Sequence, residues 1–304
     1  MTDVATRYYI YGNSQIEIAR DLGLDPSTIS RYLKRARDDG IVRVEIVPPR
    51  RKNLELGLAL TNRFGLGRAV VAELTEAEGD PIAAVAAVAA DFLADQLRHG
   101  MRVGIGWGAT IAAVVAKLTP GVVSEIQVAQ LAGGLADAEP GIQGHELARM
   151  LVELYPDSRA VYLHAPSIVD SQAICAALLA DRSIQAALAA AAQSELALVG
   201  IGEMDPGATL LTASHISAAE RDTLIAEGAI GSMNSRLYNR AGQPAGHLDG
   251  RTVALEWQAL AAIPTVIAVA AGSAKVAAIR AGLRTDCVNV LVTDEATAAA
   301  LLAG

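Results

Sequence analysis

One glycine-rich turn and one lysine are the places in this chain where residue type and spacing point to chemistry. In VGIGWGATIAAVV, Val103 to Val115, an apolar strand pattern stops in glycines and passes into an apolar helix pattern. Glycines there leave backbone N–H groups uncovered, and a helix start adds partial positive charge, so the segment suits an anion. The candidate contacts are the N–H groups near Gly108 and Ala109 and the hydroxyl of Thr110. A P-loop would need Gly-Lys-Ser/Thr, and Gly108-Ala109-Thr110 has no lysine. A dinucleotide turn GxGxxG would need glycine at 109, where the tolerated alanine stands. A site for a single phosphoryl group survives both comparisons, with a tight turn that binds nothing as the alternative. Lys275, in AVAAGSAKVAAIRAGL, opens a helix just after an apolar strand, against the dipole preference, which points to an anionic partner. Glu203 after ALVGIG and Arg236 in GAIGSMNSRLYNRAG are further candidate ligand contacts.

The five histidines have no metal-ligand spacing. His145 in GIQGHELARM and His164 at a strand end read as structural residues first and as ligand contacts second. Cys175 and Cys287 stand far apart without CxxC or Cys/His spacing and read as buried free thiols. No metal and no cofactor is expected.

These residues must be positioned by a repeating strand–helix grammar. The runs RAVVAEL, MRVGIGWG, EIQVAQLAGG, RAVYLHAP, ELALVGIGEM, TVIAVAAG and VNVLVTDE alternate with helical segments from Leu54 onward. Continuous apolar strands bounded by helices predict a mostly parallel sheet covered on both faces. The tails GWGAT, LAGGL, HAPS, GIGEM and AAGSAK lie beyond the carboxyl ends of strands, where ligands bind in open α/β sheets. They are expected to converge on one pocket.

The first fifty residues read differently. Ser14 or Asn13 can cap a helix over Gln15–Leu22, with Ile16, Ile18, Ala19 and Leu22 as its buried positions. Gly23 ends it, Asp25 caps the next, and Pro26 suits the first helical position. The second helix runs through Ser27 to Asp38 with Ile29, Leu33 and Ala36 inward. Helix, tight turn, helix is helix-turn-helix organisation. Ser27, Thr28, Ser30 and Arg31 fall in the first turns of the second helix, where base edges are read in the major groove. Lys34, Arg35 and Arg37 follow, placed for phosphates, and Gln15 opens the preceding helix. IVRVEIV, Ile41 to Val47, alternates like a wing strand, and PPRRKN is a stiff basic linker.

The charge distribution agrees. The net charge of −8 is split between residues 1–52, with ten basic against seven acidic residues, and the remainder, with 15 against 26. A basic head on an acidic body has the sign that DNA binding requires. At 304 residues the chain suits a small domain, 1–52, followed by a large one, 53–304. A composition of 52% hydrophobic and 4% aromatic residues predicts an Ala/Val/Leu/Ile core. No apolar run is long enough to span a bilayer and no cleavable signal opens the chain, so a soluble, cytoplasmic protein with no membrane partner is expected.

Head and body together resemble the SorC family (SorC/DeoR type) of sugar-sensing bacterial transcriptional regulators. The resemblance rests on seven segments in the family's order: YYIYGNSQIEIARDLGLDPSTISRYLKRARDDGIV, VGIGWGATI, QLAGG, VGIGEM, GAIGSMNSRLYNRAGQPA, IPTVIAVAAGSAKVAAIRAGL and VNVLVTDEATAAALL. It implies a small all-α helix-turn-helix domain followed by a large α/β domain related to sugar-phosphate isomerase folds. It also implies a phosphorylated sugar or polyol effector, double-stranded operator DNA as partner, and self-association as dimer or tetramer. The family's phosphate loop falls on Gly106, Gly108, Ala109 and Thr110, its second glycine loop on Gly133 and Gly134, and its basic contact on Lys275. The chain departs from the family at Ser232, where an acidic residue commonly contacts effector hydroxyls, and at Ala271, where glycine is usual. Two other functions fit parts of the sequence: a sugar-phosphate isomerase-like enzyme with Glu203 or Asp205 as base and Lys275 as electrophile, and an NAD-responsive regulator using GIGWGA.

Overall fold

The structure, a computed structural model, describes residues 1–42, 52–74, 80–137, 139–214 and 216–304. The chain divides into two compact units, Met1–Pro49 and Arg50–Gly304. From residue 43 onward the predicted wing strand lies outside the described residues, as does most of the predicted linker.

The described residues of the first unit form three helices: α1 (Thr2–Tyr9), α2 (Gln15–Leu22) and α3 (Pro26–Asp38). Ser14 begins α2 with a complete capping box, its hydroxyl accepting from Glu17 N–H while Glu17 accepts from Ser14 N–H. Those bonds hold the Glu17 carboxyl below its ordinary range. Gly23 closes α2 in the left-handed conformation at φ 63°, and Pro26 opens α3 after Asp25. Asp25 holds the N-cap position without a side-chain bond. Val4, Ile18, Ala19, Ile29 and Leu33 form the small core. Ile16, expected in that core, is 64% exposed. The inward face of α2 is set by Ile18, Ala19 and Leu22, and a residue two positions before Ile18 points to the far side of a 3.6-residue helix. Helix α1 had no counterpart in the sequence reading; its Val4 and Ala5 are its only fully buried positions.

The second unit runs α4 (Leu54–Phe64), β1 (Arg68–Ala72), α5 (Pro81–Gln96), β2 (Arg102–Ile105), α6 (Ala109–Lys117), β3 (Gln127–Gln130), α7 (Gly144–Glu153) and β4 (Arg159–Val161). It continues α8 (Gln172–Ala180), α9 (Arg182–Ala192), β5 (Leu196–Glu203), α10 (Thr209–Ala213), α11 (Ala218–Ala226), β6 (Gly231–Met233) and β7 (Arg236–Tyr238). It ends α12 (Trp257–Ala261), β8 (Thr265–Val269), α13 (Val276–Gly282), β9 (Val290–Asp294) and α14 (Glu295–Ala303). Lys52 already pairs with Ala72 in an antiparallel bridge.

Seven strands form a parallel sheet in the order β1-β9-β8-β5-β2-β3-β4. Alternate residues of one strand feed opposite cores, which is why the strands read as unbroken apolar runs. On β5, Leu196 and Leu198 pack under α5, α6 and α7, while Ala197, Val199 and Ile201 pack under α4, α12, α13 and α14. Each fully buried Leu, Ile or Val contributes roughly 1.5–3 kcal/mol relative to exposure. Both cysteines are buried and free, and burial raises both thiols above their ordinary range. No single described helix is long and apolar enough to cross a membrane.

The hairpin β6–β7 was not visible in the sequence. It pairs antiparallel to the end of β5, with Gly202 opposite Ser232 and Glu203 opposite Gly231. Its two-residue turn, Asn234–Ser235, has both residues in the left-handed region, at φ 52° and 65°. That backbone matches the twist of the flanking strands.

Candidate functional site

From β2 the chain steps outward to β3 and β4, then returns past β2 to β5. The strand order therefore reverses between β2 and β5, and a crevice opens beyond their carboxyl ends. A cavity open to solvent lies there. Its lining includes Gly106 to Thr110 after β2, Val199 to Glu203 on β5, Gly207 to Leu210, Lys275 after β8, and Ser232, Asn234 and Ser235 from the hairpin.

One end of the cavity is rich in donors. Gly108 is held at φ +115°, a conformation that L side chains rarely adopt, and the helix α6 starts immediately after it with no side-chain cap. Among the described residues, the N–H groups of Ala109 and Thr110 have no protein acceptor. The N–H groups of Gly106 and Gly108 do not share that freedom: they donate to Leu198 O at 2.9 Å and Ile142 O at 3.0 Å. The glycines shape the turn, and the first turn of α6 offers the donors. Of the predicted cradle, Ala109 and Thr110 keep free donors and the two glycines do not.

The lining also carries acceptors, and its lysine lies beside one of them. Lys275 Nζ stands 3.5 Å from Glu203 Oε2, and both side chains are less than a quarter exposed. That contact is an ion pair without hydrogen-bond geometry, because Glu203 Oε2 is buried with no hydrogen-bond partner. Beside it, the Tyr238 phenol donates to Ala278 O at 3.0 Å. Burial first, and the Glu203 charge second, push that phenol far above the ordinary tyrosine range. Asn234 donates from Nδ2 to Leu131 O at 3.0 Å. Trp107 donates from its indole to Ser235 Oγ at 3.0 Å, tying the glycine turn to the hairpin.

The cavity thus gathers Gly106, Gly108, Ala109, Thr110, Glu203, Ser232 and Lys275 of the predicted effector contacts, and adds Trp107, Asn234 and Ser235, which the sequence reading missed. Asn-Ser between short apolar runs was the available signal for the last two. Three predicted residues stand elsewhere. Arg236 is 2% exposed and makes four hydrogen bonds. It donates to Leu255 O at 2.9 Å, Ala254 O at 3.0 Å, Glu256 at 2.7 Å and Asp249, so its guanidinium clamps β7 to residues 249–256 and faces no cavity. Gly133 donates to Val253 O, and a Cβ there would stand 2.4 Å from Ala165 O. Its glycine is required by backbone approach, not by a ligand. Gly134 donates to Ala165 O at 2.8 Å and lines a separate depression with Gln130, His145, Arg149 and Tyr162 to Ala165. The five strand tails therefore divide: those of β2, β5 and β8 meet, and those of β3 and β4 do not join them.

The wall formed by Gly207 to Leu210 leads into α11, which is braced by Glu220 and Glu227. His247 bonds both carboxylates, and Arg251 bonds Glu220 at 2.7 Å. The Glu227 contact raises the His247 imidazole above its ordinary range. Asp205, the alternative base, is exposed and accepts from Gly207 N–H at 3.0 Å. Among the described residues no group of three or more His, Cys, Asp or Glu could hold a metal.

In the first unit, the predicted DNA face is formed by α3. Ser27, Ser30, Arg31, Lys34 and Arg37 are exposed, Gln15 and Thr28 half-buried. Arg31 donates to Thr28 Oγ1 at 3.1 Å, which aligns the guanidinium along the first turns. Arg35 is exposed but paired with Asp39 at 3.3 Å, so part of its charge is compensated.

Comparison with known proteins extends over the whole chain. A family described as "Putative sugar-binding domain" matches residues 49–303, and one described as winged helix-turn-helix DNA-binding matches residues 12–43. The deoxyribonucleoside regulator of Bacillus subtilis is 28% identical over 99% of this chain and 96% of its own length. The transcriptional regulator LsrR of an Enterobacter species is 32% identical over 99% of this chain and 91% of its own. The crystal structure of the full-length sorbitol operon regulator SorC from Klebsiella pneumoniae superposes with a TM-score of 0.76 at 28% identity, covering 99% and 97% of the two chains.

Proposed function

Since the chain belongs to the SorC family of helix-turn-helix transcriptional regulators with a sugar-binding domain, we propose that its effector is a phosphorylated sugar or polyol held in the cavity between β2 and β5. The chain is a DNA-binding regulator responsive to a sugar or polyol, not an enzyme. Relatives named for deoxyribonucleosides and for the sorbitol operon support a small polyhydroxylated effector. The observation that carries the phosphate is the donor end of the cavity: two free N–H groups at the start of α6, with Lys275 among the lining residues. Ala109, Thr110 and Lys275 hold the phosphoryl group, and Glu203 and Ser232 meet hydroxyls. Gly106 and Gly108 keep the turn open for them.

The head, residues 1–52, grips operator DNA in the bacterial cytoplasm, and the body, 53–304, senses and oligomerises. Effector binding shifts the balance between arrangements of a dimer or tetramer that present two heads at different spacings, by as much as its affinities for those arrangements differ.

A melting-shift panel on the full chain tests this reading. Phosphorylated sugars and polyols raise the melting temperature by binding linkage, whereas NAD and the unphosphorylated compounds leave it in place. A shift with NAD alone, or conversion of the phosphate ester by the protein, overturns it. On the head, Arg31→Ala lowers the ratio of specific to scrambled DNA binding by about tenfold or more, as loss of a bidentate base contact would. Lys34→Ala weakens both DNAs alike and reduces the salt slope by about one. Titrations of both variants at several salt concentrations separate the two roles, and equal behaviour would remove the distinction.

A further inference from the structure

Two buried acceptors on residues that line the cavity have no hydrogen-bond donor among the described residues. Glu203 Oε2 is enclosed with no hydrogen-bond donor, and so is Asn234 Oδ1, whose amide nitrogen is already engaged with Leu131 O. Glu203 is the last residue of β5 and is held in register with Gly231. Asn234 sits in a left-handed turn whose next residue, Ser235, is fixed by the Trp107 indole. A buried acceptor left without a donor costs free energy, which a correctly placed donor recovers. Among the described residues Lys275 is the one cation in the lining, and it leans on Glu203 at 3.5 Å.

Resting on the cavity's reading as a phosphate-ester site, we propose that Glu203 and Asn234 set its specificity, admitting a polyhydroxylated phosphate monoester and turning away bare phosphate. An anion that takes Lys275 removes the counter-charge of Glu203 and brings negative charge toward that carboxylate. Bare phosphate offers no carbon-borne hydroxyl that reaches the hairpin side, so it leaves Asn234 unpaired and Glu203 both unpaired and repelled. A polyol phosphate brings the donors on the same molecule: its hydroxyls donate to Glu203 and to Asn234 Oδ1 while its phosphoryl group occupies the start of α6. Such a site rejects an analogue that lacks the hydroxyl because the protein's own polar groups are then stranded. The ion pair acts as the gatekeeper, and the ligand must replace both of its halves.

Calorimetric titration of the full-length protein with inorganic phosphate, glycerol 3-phosphate, ribose 5-phosphate and sorbitol 6-phosphate tests this. In the unsubstituted protein the best of the longer esters binds about a hundredfold or more tighter than inorganic phosphate, with glycerol 3-phosphate between them. Glu203→Gln removes the charge at nearly constant shape. It tightens inorganic phosphate by about threefold and weakens the best ester by about tenfold, so the preference shrinks by about thirtyfold. Asn234→Gly keeps the left-handed turn and weakens the ester without tightening inorganic phosphate. Circular dichroism establishes that each variant is folded. An unchanged preference in a folded Glu203→Gln protein overturns the proposal while leaving the phosphate-ester reading intact. A protein that binds none of the four phosphates overturns that reading itself, and the proposal with it.

Discussion

Arg236→Met should lower the melting temperature of the protein by roughly 6–12 °C, from a loss of about 3 kcal/mol, while leaving the cavity able to bind its ligand. The guanidinium is almost fully buried and its donors are spent on two backbone carbonyls and two carboxylates of residues 249–256. Methionine fills similar space but donates nothing. Asp249 and Glu256 are 41% and 64% exposed and can rehydrate, so their lost ion pairs contribute little. The carbonyls of Ala254 and Leu255 stay buried, and each unpaired acceptor costs about 1–3 kcal/mol. Calorimetric melting checks the stability, and titration well below the transition checks the affinity. A variant that melts as the unsubstituted protein does but has lost its ligand would return Arg236 to the binding site.

Lys275→Met should do the reverse. Its contact with Glu203 is a partly exposed ion pair at 3.5 Å, worth at most about 1 kcal/mol, so the unliganded melting temperature moves by a few degrees at most. A charge-assisted bond from an ammonium to a phosphoryl oxygen is worth roughly 1.5–3 kcal/mol, so the Kd for the best phosphate ester rises about tenfold to a hundredfold. The stabilisation by saturating ligand falls accordingly, by binding linkage. Titration of the variant with the ester that binds the unsubstituted protein best decides the matter. An unchanged Kd would mean that the start of α6 holds the anion alone. The two substitutions together separate a cation that builds the fold from a cation that meets the ligand, a distinction the sequence did not draw.

What the sequence did and did not reveal follows from the range of each interaction. All seven parallel strands were legible, because a strand covered on both faces is a run of apolar residues ending in small ones, as ALVGIG does on β5. The helix-turn-helix was legible through its punctuation: Ser14, Gly23 and Pro26 act on their nearest neighbours in the chain. The hairpin escaped notice because β6 and β7 have three residues each, too short for an alternation to register, and their turn is Asn-Ser in place of a glycine pair. Arg236 and Gly133 were misplaced for a different reason. Their partners, Ala254, Leu255, Val253 and Ala165, lie between eighteen and 120 residues away, and no local pattern reports such contacts. At the start of α6 the sequence named Ala109 and Thr110 together with two glycines, since only the fold shows that Ile142 and Leu198 already occupy the glycine N–H groups.

The indole that joins the glycine turn to the hairpin is also one of only two tryptophans in the chain. The other, Trp257, lies edge-on to Tyr238 with ring centres 6.1 Å apart, on the core side of the hairpin and away from the cavity lining. Tryptophan fluorescence from this protein therefore comes from one emitter in the crevice lining and one outside it. Occupancy can be followed optically on the native molecule, without a dye, a label or an engineered reporter.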